Sequence, residues 1–220
     1  GGQLGMGQHG LDWNKIWFSP QFNEEFAYVD PDVANGESFS TQTSDMYLNF
    51  NAGLLWYALF DDNMSIYFGG SFHHINSPNV SFLENADEVL HRKWVVNAGG
   101  EMPFSDNLSL LPAIAVIGQN KSMSTTLGGN FRYTNRDWRE LAIRAGIWGH
   151  ISNKLESGMA MDAVIFTAIL EMERWNIGLS YDMTASSLST ANNARGAFEV
   201  SLIYTHPEKA RRQRTRCPNF

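Results

Sequence analysis

Cysteine is almost missing from this 220-residue sequence: Cys217 stands alone, so no intramolecular disulfide can brace the chain. Long apolar runs are missing too. No stretch approaches the roughly 18 consecutive apolar residues of a membrane-crossing helix, and the mean hydropathy is −0.28. A helical membrane protein is thereby excluded. A transmembrane β-barrel is not, because its strands are apolar only at every second position and their hydropathy averages out. The opening residues, GGQLGMGQHG, contain neither the basic region nor the apolar core of a secretory leader. Positive charge is scarce, with 16 basic residues against 23 acidic, and five of the 16 crowd into residues 208–220 beside a single acid. A nucleic-acid binder spreads positive charge over a folded face, so nucleic acid is not an expected partner.

What the sequence does contain is period-two alternation in segments of roughly ten residues, separated by turn-forming residues. Leu48, Phe50, Ala52, Leu54, Trp56, Ala58 and Phe60 share one face, opposite Asn49, Asn51 and Gly53. Met64, Ile66, Phe68, Gly70 and Phe72 alternate with Ser65, Tyr67, Gly69, Ser71 and His73, and Asp61-Asp62-Asn63 between the two has the composition of a tight hairpin turn. The pattern returns with Trp94, Val96, Ala98 and Gly100 against Lys93, Asn97, Gly99 and Glu101. It returns again with Leu127, Gly129, Phe131 and Tyr133 against Gly128, Asn130 and Arg132. Near the end, Trp175, Ile177, Leu179, Tyr181 and Met183 oppose Asn176, Gly178, Ser180 and Asp182; Phe198, Val200, Leu202 and Tyr204 oppose Glu199 and Ser201. Segments 108–117, 140–150 and 161–171 also read as strands, although 163–170 is apolar on both faces. No helix-period stretch competes, so the class is all-β.

Nine strands follow residue 46, and residues 1–10 read as the end of a tenth. Short turns are expected at 61–63, 103–107, 134–137 and 172–174. Longer connections are expected at 11–45, 75–91, 118–124, 151–160 and 184–195. That alternation fits an up-and-down antiparallel transmembrane barrel, with tight turns on one side of the membrane and long loops on the other. A chain that opens within a strand is expected to be the C-terminal portion of a larger barrel, truncated at its N-terminus. Two regions follow: a barrel over 1–207 and a basic tail over 208–220. Trp56, Trp94, Trp138, Trp148 and Trp175 are expected near strand ends, where interfacial belts sit.

Candidate chemical motifs resolve into structural roles. Gly5-Met6-Gly7-Gln8-His9-Gly10 fits G-x-G-x-x-G, but a dinucleotide site needs a helix next, and Pro20 with the aromatic segment around it denies one. No cofactor is expected. Adjacent strand residues point to opposite faces, so His73 and His74 are poorly placed to chelate one metal; with Pro78 they are assigned to a strand-to-loop corner at the extracellular rim. Asp61-Asp62 and Glu24-Glu25 lie in a turn and a loop, as solvated acids would, and no nucleophile motif such as G-x-S-x-G marks a triad. The chain is not expected to be an enzyme. Arg211, Arg212, Arg214 and Arg216, with Cys217 and Phe220, form either a contact for an acidic periplasmic partner or a solvated end. Cys217 is either a free thiol or half of an intermolecular disulfide.

Several segments resemble the PorP/SprF family of type IX secretion membrane proteins. LDWNKIWF (11–18) is similar to the family's aromatic loop segment after a glycine-rich strand. DMYLNFNAGLLWY (45–57) and FGGSFHHINSPNVSF (68–82) resemble characteristic strand and loop segments. IGLSYDMTASSL (177–188), GAFEVSLIY (196–204) and CPNF (217–220) resemble its closing features. These occur in the family's order over nearly the whole chain. The resemblance implies an outer-membrane barrel in contact with lipid, assisting export or surface attachment of adhesin-like cargo and associating with the periplasmic ring of the secretion machine. Two other readings stand beside it. One is a passive porin-like small-solute channel, the other a soluble ligand-binding β-barrel.

Overall fold

A computed structural model describes residues 1–12, 15–34, 43–61, 64–82, 88–135, 141–154, 158–186 and 195–206. Among them there is no α-helix. The strands are β1 (Gly2–Gly7), β2 (Phe22–Asn23), β3 (Tyr28–Val29), β4 (Tyr47–Asp61), β5 (Met64–His73), β6 (Lys93–Ser105), β7 (Leu108–Gln119), β8 (Ser122–Thr134), β9 (Leu141–Lys154), β10 (Gly158–Met172), β11 (Trp175–Thr184) and β12 (Phe198–Tyr204). Ten of them form one sheet in the order β1-β4-β5-β6-β7-β8-β9-β10-β11-β12, and β2 pairs with β3 in a separate two-stranded sheet. From β4 onward each strand lies beside its sequence neighbours. Connections of two or three residues at 62–63, 106–107, 120–121 and 155–157 permit only antiparallel pairing. The edges are β1 and β12, so the established architecture is an antiparallel ten-stranded sheet.

The ten expected strands and their order hold in the large sheet, β2 and β3 fall within the expected connection 11–45, and two expected long connections do not hold. Between β7 and β8 only Asn120 and Lys121 intervene, with Asn120 in the left-handed region at φ 52°. Between β9 and β10 the connection is 155–157. The reason is compositional. Where these strands continue beyond their apolar stretch, both faces become polar or small, as in Ser122, Ser124, Thr125, Ser152 and Asn153, so the alternation fades although the ladder goes on. The connections that remain long are those before β4, between β5 and β6, and between β11 and β12.

A register shift lies between Met161 and Ala163, just before the segment that reads as apolar on both faces. Such a bulge adds one residue to one strand and exchanges its faces. Before it, Met159 and Met161 are exposed; after it, the exposed positions are Phe166 and Ala168. Asp162, at the shift, accepts a hydrogen bond from Ser152 Oγ on β9.

The chain divides into two compact units. One comprises Gly1–Leu54, Gly69–Val95 and Ile117–Lys121, the other Leu55–Phe68, Val96–Val116 and Ser122–Phe220. In the first, β1 pairs with β4 from Gly2↔Ala52 to Gly7↔Tyr47. In the second, β8 to β12 pair in unbroken succession.

Candidate functional site: the two faces of the sheet

A water-soluble sheet buries its apolar face, and this one does the opposite. Beyond glycines and Pro78, the buried residues among those described are Ala142, which is apolar, and Ser44, Ser109 and Asn130, which are polar. Along β11 every apolar side chain of the alternation is exposed: Trp175, Ile177, Leu179, Tyr181 and Met183. Asn176, Gly178, Ser180, Asp182 and Thr184 between them are partly or fully buried. In β8, Leu127, Phe131 and Tyr133 are exposed while Asn130 is buried. In β4, Leu54 is 83% exposed, and Leu48, Phe50, Trp56 and Phe60 share its face. Leaving this much apolar surface in water forfeits roughly 25 cal/mol per Å². Contiguous exposed apolar area on this scale marks a surface that meets something apolar.

Within the second unit the strand ends at the 62–63, 106–107, 135–140 and 173–174 connections carry exposed aromatics. Phe60, Phe104, Tyr133, Trp175 and Tyr204 each lie within one residue of a strand end, on the apolar face. Trp175 and Tyr204 are register partners with ring centroids 4.7 Å apart. In membrane-spanning barrels aromatics near strand ends form the girdles at the headgroup level.

The expected tryptophan belt holds only in part. Trp94 and Trp175 lie at strand ends, Trp56 lies inside β4, and Trp138 falls outside the described residues. Trp148 is in the middle of β9 on the polar face, opposite Gly128 on β8 and Ile165 on β10. A Cβ at Gly128 would lie 2.7 Å from Trp148 Cα and 3.0 Å from its ring, so the indole takes the space the glycine leaves.

The polar face of the second unit holds a charge network that single segments did not reveal. Glu101 on β6, Arg132 on β8, Arg144 on β9 and Glu171 on β10 all point to it. Arg132 is the direct register partner of Arg144, a juxtaposition of like charges that is unfavourable by itself. Glu171, only 12% exposed at its side chain, resolves it by accepting from both: Arg132 Nε lies 2.7 Å from its Oε2, and Arg144 Nη2 bonds its Oε1. Arg132 Nη1 also reaches Glu101 Oε1 at 3.3 Å. One turn of the pleat away, Thr167 Oγ1 donates to Asn130 Oδ1 at 2.7 Å. Gly146 lies between them in the register, and the Asn130 amide occupies the space a side chain there would need. Arg132 and Glu101 were legible as polar-face residues; Glu171, the shared partner of Arg132 and Arg144, was not, because register between distant strands is not written in any one of them.

In the first unit the chain turns a corner after β5, at His74 and ahead of Pro78. His73 ends β5 and lies 3.1 Å from Ser71 Oγ through Nε2. His74 adopts φ 56°, which turns the chain back along β4. Its backbone N–H donates to Asn51 Oδ1 at 2.9 Å, and its ring Nδ1 lies 2.9 Å from Asn49 Oδ1. Ile75 N–H then donates to Phe50 O, Asn76 Nδ2 to Leu48 O and Phe50 N–H to Asn76 Oδ1, at 3.0, 2.7 and 3.2 Å. The Asn76 amide thus substitutes for a peptide group and extends the ladder around the corner. Pro78 is buried, and Leu90 N–H donates to its carbonyl at 2.8 Å. Burial first, then Lys93 and His73, hold the His74 pKa below its usual value.

Gly5 and Gly7 lie in β1, and Gly10 forms an isolated bridge with Thr43 rather than opening a helix. Arg211, Arg212, Arg214, Arg216, Cys217 and Phe220 fall outside the described residues. The family model described as "Type IX secretion system membrane protein PorP/SprF" matches residues 1–204. No curated protein and no solved structure matches the chain.

Proposed function

Because the chain belongs to the PorP/SprF family of type IX secretion system membrane proteins, we propose that it is a non-enzymatic outer-membrane β-barrel that assists export or surface attachment of particular cargo proteins. The observation that carries this reading is the reversed polarity of the sheet. Its apolar face is exposed and edged with aromatics, while charge is gathered on the other side. In hydrocarbon an unpaired backbone edge has no water to satisfy it, so the reading includes closure of the sheet into a barrel.

Tyr204 ends β12 beside Trp175, at the strand ends joined by the short 106–107 and 173–174 connections, while the opposite ends carry the long 185–197 connection as well as the short 155–157 one. In a bacterial outer-membrane barrel the short turns are periplasmic. On this reading the basic tail 208–220 emerges in the periplasm and the His73, His74 and Pro78 corner lies at the extracellular rim. Arg211, Arg212, Arg214 and Arg216 then dock on an acidic patch of a periplasmic ring component, with Cys217 and Phe220 as anchors.

Cells lacking the chain should retain a defined set of secreted proteins in the periplasm, measured by comparing surface and periplasmic fractions. A chain lacking 208–220 should still insert as a heat-modifiable membrane protein while export of the same set falls to background. Normal export without the whole chain overturns the proposed function. Normal export with the truncated chain overturns only the role of the tail.

A further inference from the structure

Between β1 and β4 the described residues 15–34 are held by polar contacts, yet they present their aromatics to solvent. Gln21, at the end of a short 3-10 turn over Ser19–Gln21, acts as the bracket. Phe18 N–H donates to Gln21 Oε1 at 3.0 Å, Gln21 Nε2 donates to Val33 O at 3.1 Å, and Asp30 N–H donates to Gln21 O at 2.8 Å. β2 and β3 pair as Phe22↔Val29 and Asn23↔Tyr28. Asn23 Oδ1 accepts from the N–H groups of Glu25 and Phe26 at 3.0 and 3.1 Å, and Ala27 closes the turn at φ 54°. The hairpin tip is therefore fixed by an asparagine and a backbone bend, not by packing of its rings.

Those rings are left outside. Phe26, at the tip, is 69% exposed; Trp17, Phe22 and Tyr28 are exposed as well, with Trp17 and Phe22 in contact at 5.7 Å between centroids. The charge around them has one sign. Residues 11–46 contain seven acids and one basic side chain, Lys15, and Lys15 already pairs with Asp12 at 3.2 Å. Glu24 and Glu25 immediately precede Phe26 in the turn.

We propose that this hairpin is a docking knob for a protein partner whose contact surface is apolar and basic. Apolar rings held on a hydrogen-bonded turn supply contact area at little ordering cost, as interface anchors do. The acids select by sign. Opposite charges around an apolar contact steer the encounter and suppress wrong partners, and an acidic rim disfavours an anionic lipid headgroup surface as the occupant. The proposal goes beyond the export role, because it concerns a surface and its complement and holds whatever the route of transport.

The test places a photo-reactive p-benzoylphenylalanine at Phe26 in the full chain in its own membrane. It is irradiated in intact cells, and the cross-linked peptide is sequenced. The expected product is a protein adduct at one discrete peptide of net positive charge. Its yield should fall at least tenfold when Glu24→Lys and Glu25→Lys are introduced together, with the amount of membrane-inserted chain unchanged. A Tyr28→Ser variant, which keeps every charge, should also lower the yield. No adduct, an adduct to lipid alone, an adduct to a second copy of this chain, an acidic cross-linked peptide, or a yield indifferent to the charge reversal overturns the proposal.

Discussion

At the scale of single residues, the account rests on which environment each side chain meets. Leu179 and Ser180 are neighbours on β11 with opposite exposure, Leu179 outward and Ser180 partly buried on the polar side. Leu179→Arg should reduce membrane assembly, since a cation near the lipid midplane costs about 2–4 kcal/mol; Ser180→Arg should assemble at close to the normal level, measured as the heat-modifiable fraction. Glu171 carries a different burden. It separates two arginines that face each other in register, and removing one partner leaves charge without compensation in a partly buried place. Glu171→Ala should destabilise the folded chain by about 2–3 kcal/mol in urea titration. Adding Arg144→Met to that variant should recover part of the loss, because the repelling pair is then gone. Of these residues, Leu179 and Ser180 were legible from alternation alone. Glu171 was not, since its strand is apolar on both faces in the sequence and a bulge resets its register.

At the scale of elements, alternation located the strands where a strand has one lipid-like and one polar face. It failed where that contrast vanishes. Ser122, Ser124, Ser152 and Asn153 fall in the expected connections 118–124 and 151–160 because they are polar and small, yet they belong to β8 and β9. The hairpin of β2 and β3 was invisible for another reason: two residues per strand are too few to show any period. The corner after β5 was legible only as His73, His74 and Pro78. Its working part, the Asn76 amide standing in the ladder, comes from asparagine's ability to imitate a peptide group. This corner carries a pH dependence. Burial, Lys93 and His73 lower the His74 pKa in the folded chain, against about 6.5 when unfolded. The unfolded chain then takes up the proton first as the solution is acidified. The contribution of neutral His74 to folding is full above about pH 6.5 and is lost as pH falls through the lowered value. Amide exchange, corrected for its intrinsic pH dependence, should show protection at residues 74–76 falling on acidification below about pH 6.5 and constant between pH 7 and 9.

At the scale of the whole molecule, the sequence and the structure agree on ten strands in an up-and-down order, and the family match covers them to the last residue of β12. The physical content of that agreement is an inverted sheet with its apolar face exposed, and the proposed function sets that face against lipid. β11 allows the most direct measurement, because its ten residues alternate without interruption and about ten tilted residues suffice to cross a bilayer. Single cysteines at successive positions from 176 to 184, in a chain whose Cys217 is replaced by serine, would carry a fluorophore in reconstituted bilayers. The account predicts that lipid-borne quenchers act at 177, 179, 181 and 183, and water-borne quenchers at 176, 180, 182 and 184. Uniform quenching along the strand, or quenching by the aqueous reagent at 179 and 181, would contradict it.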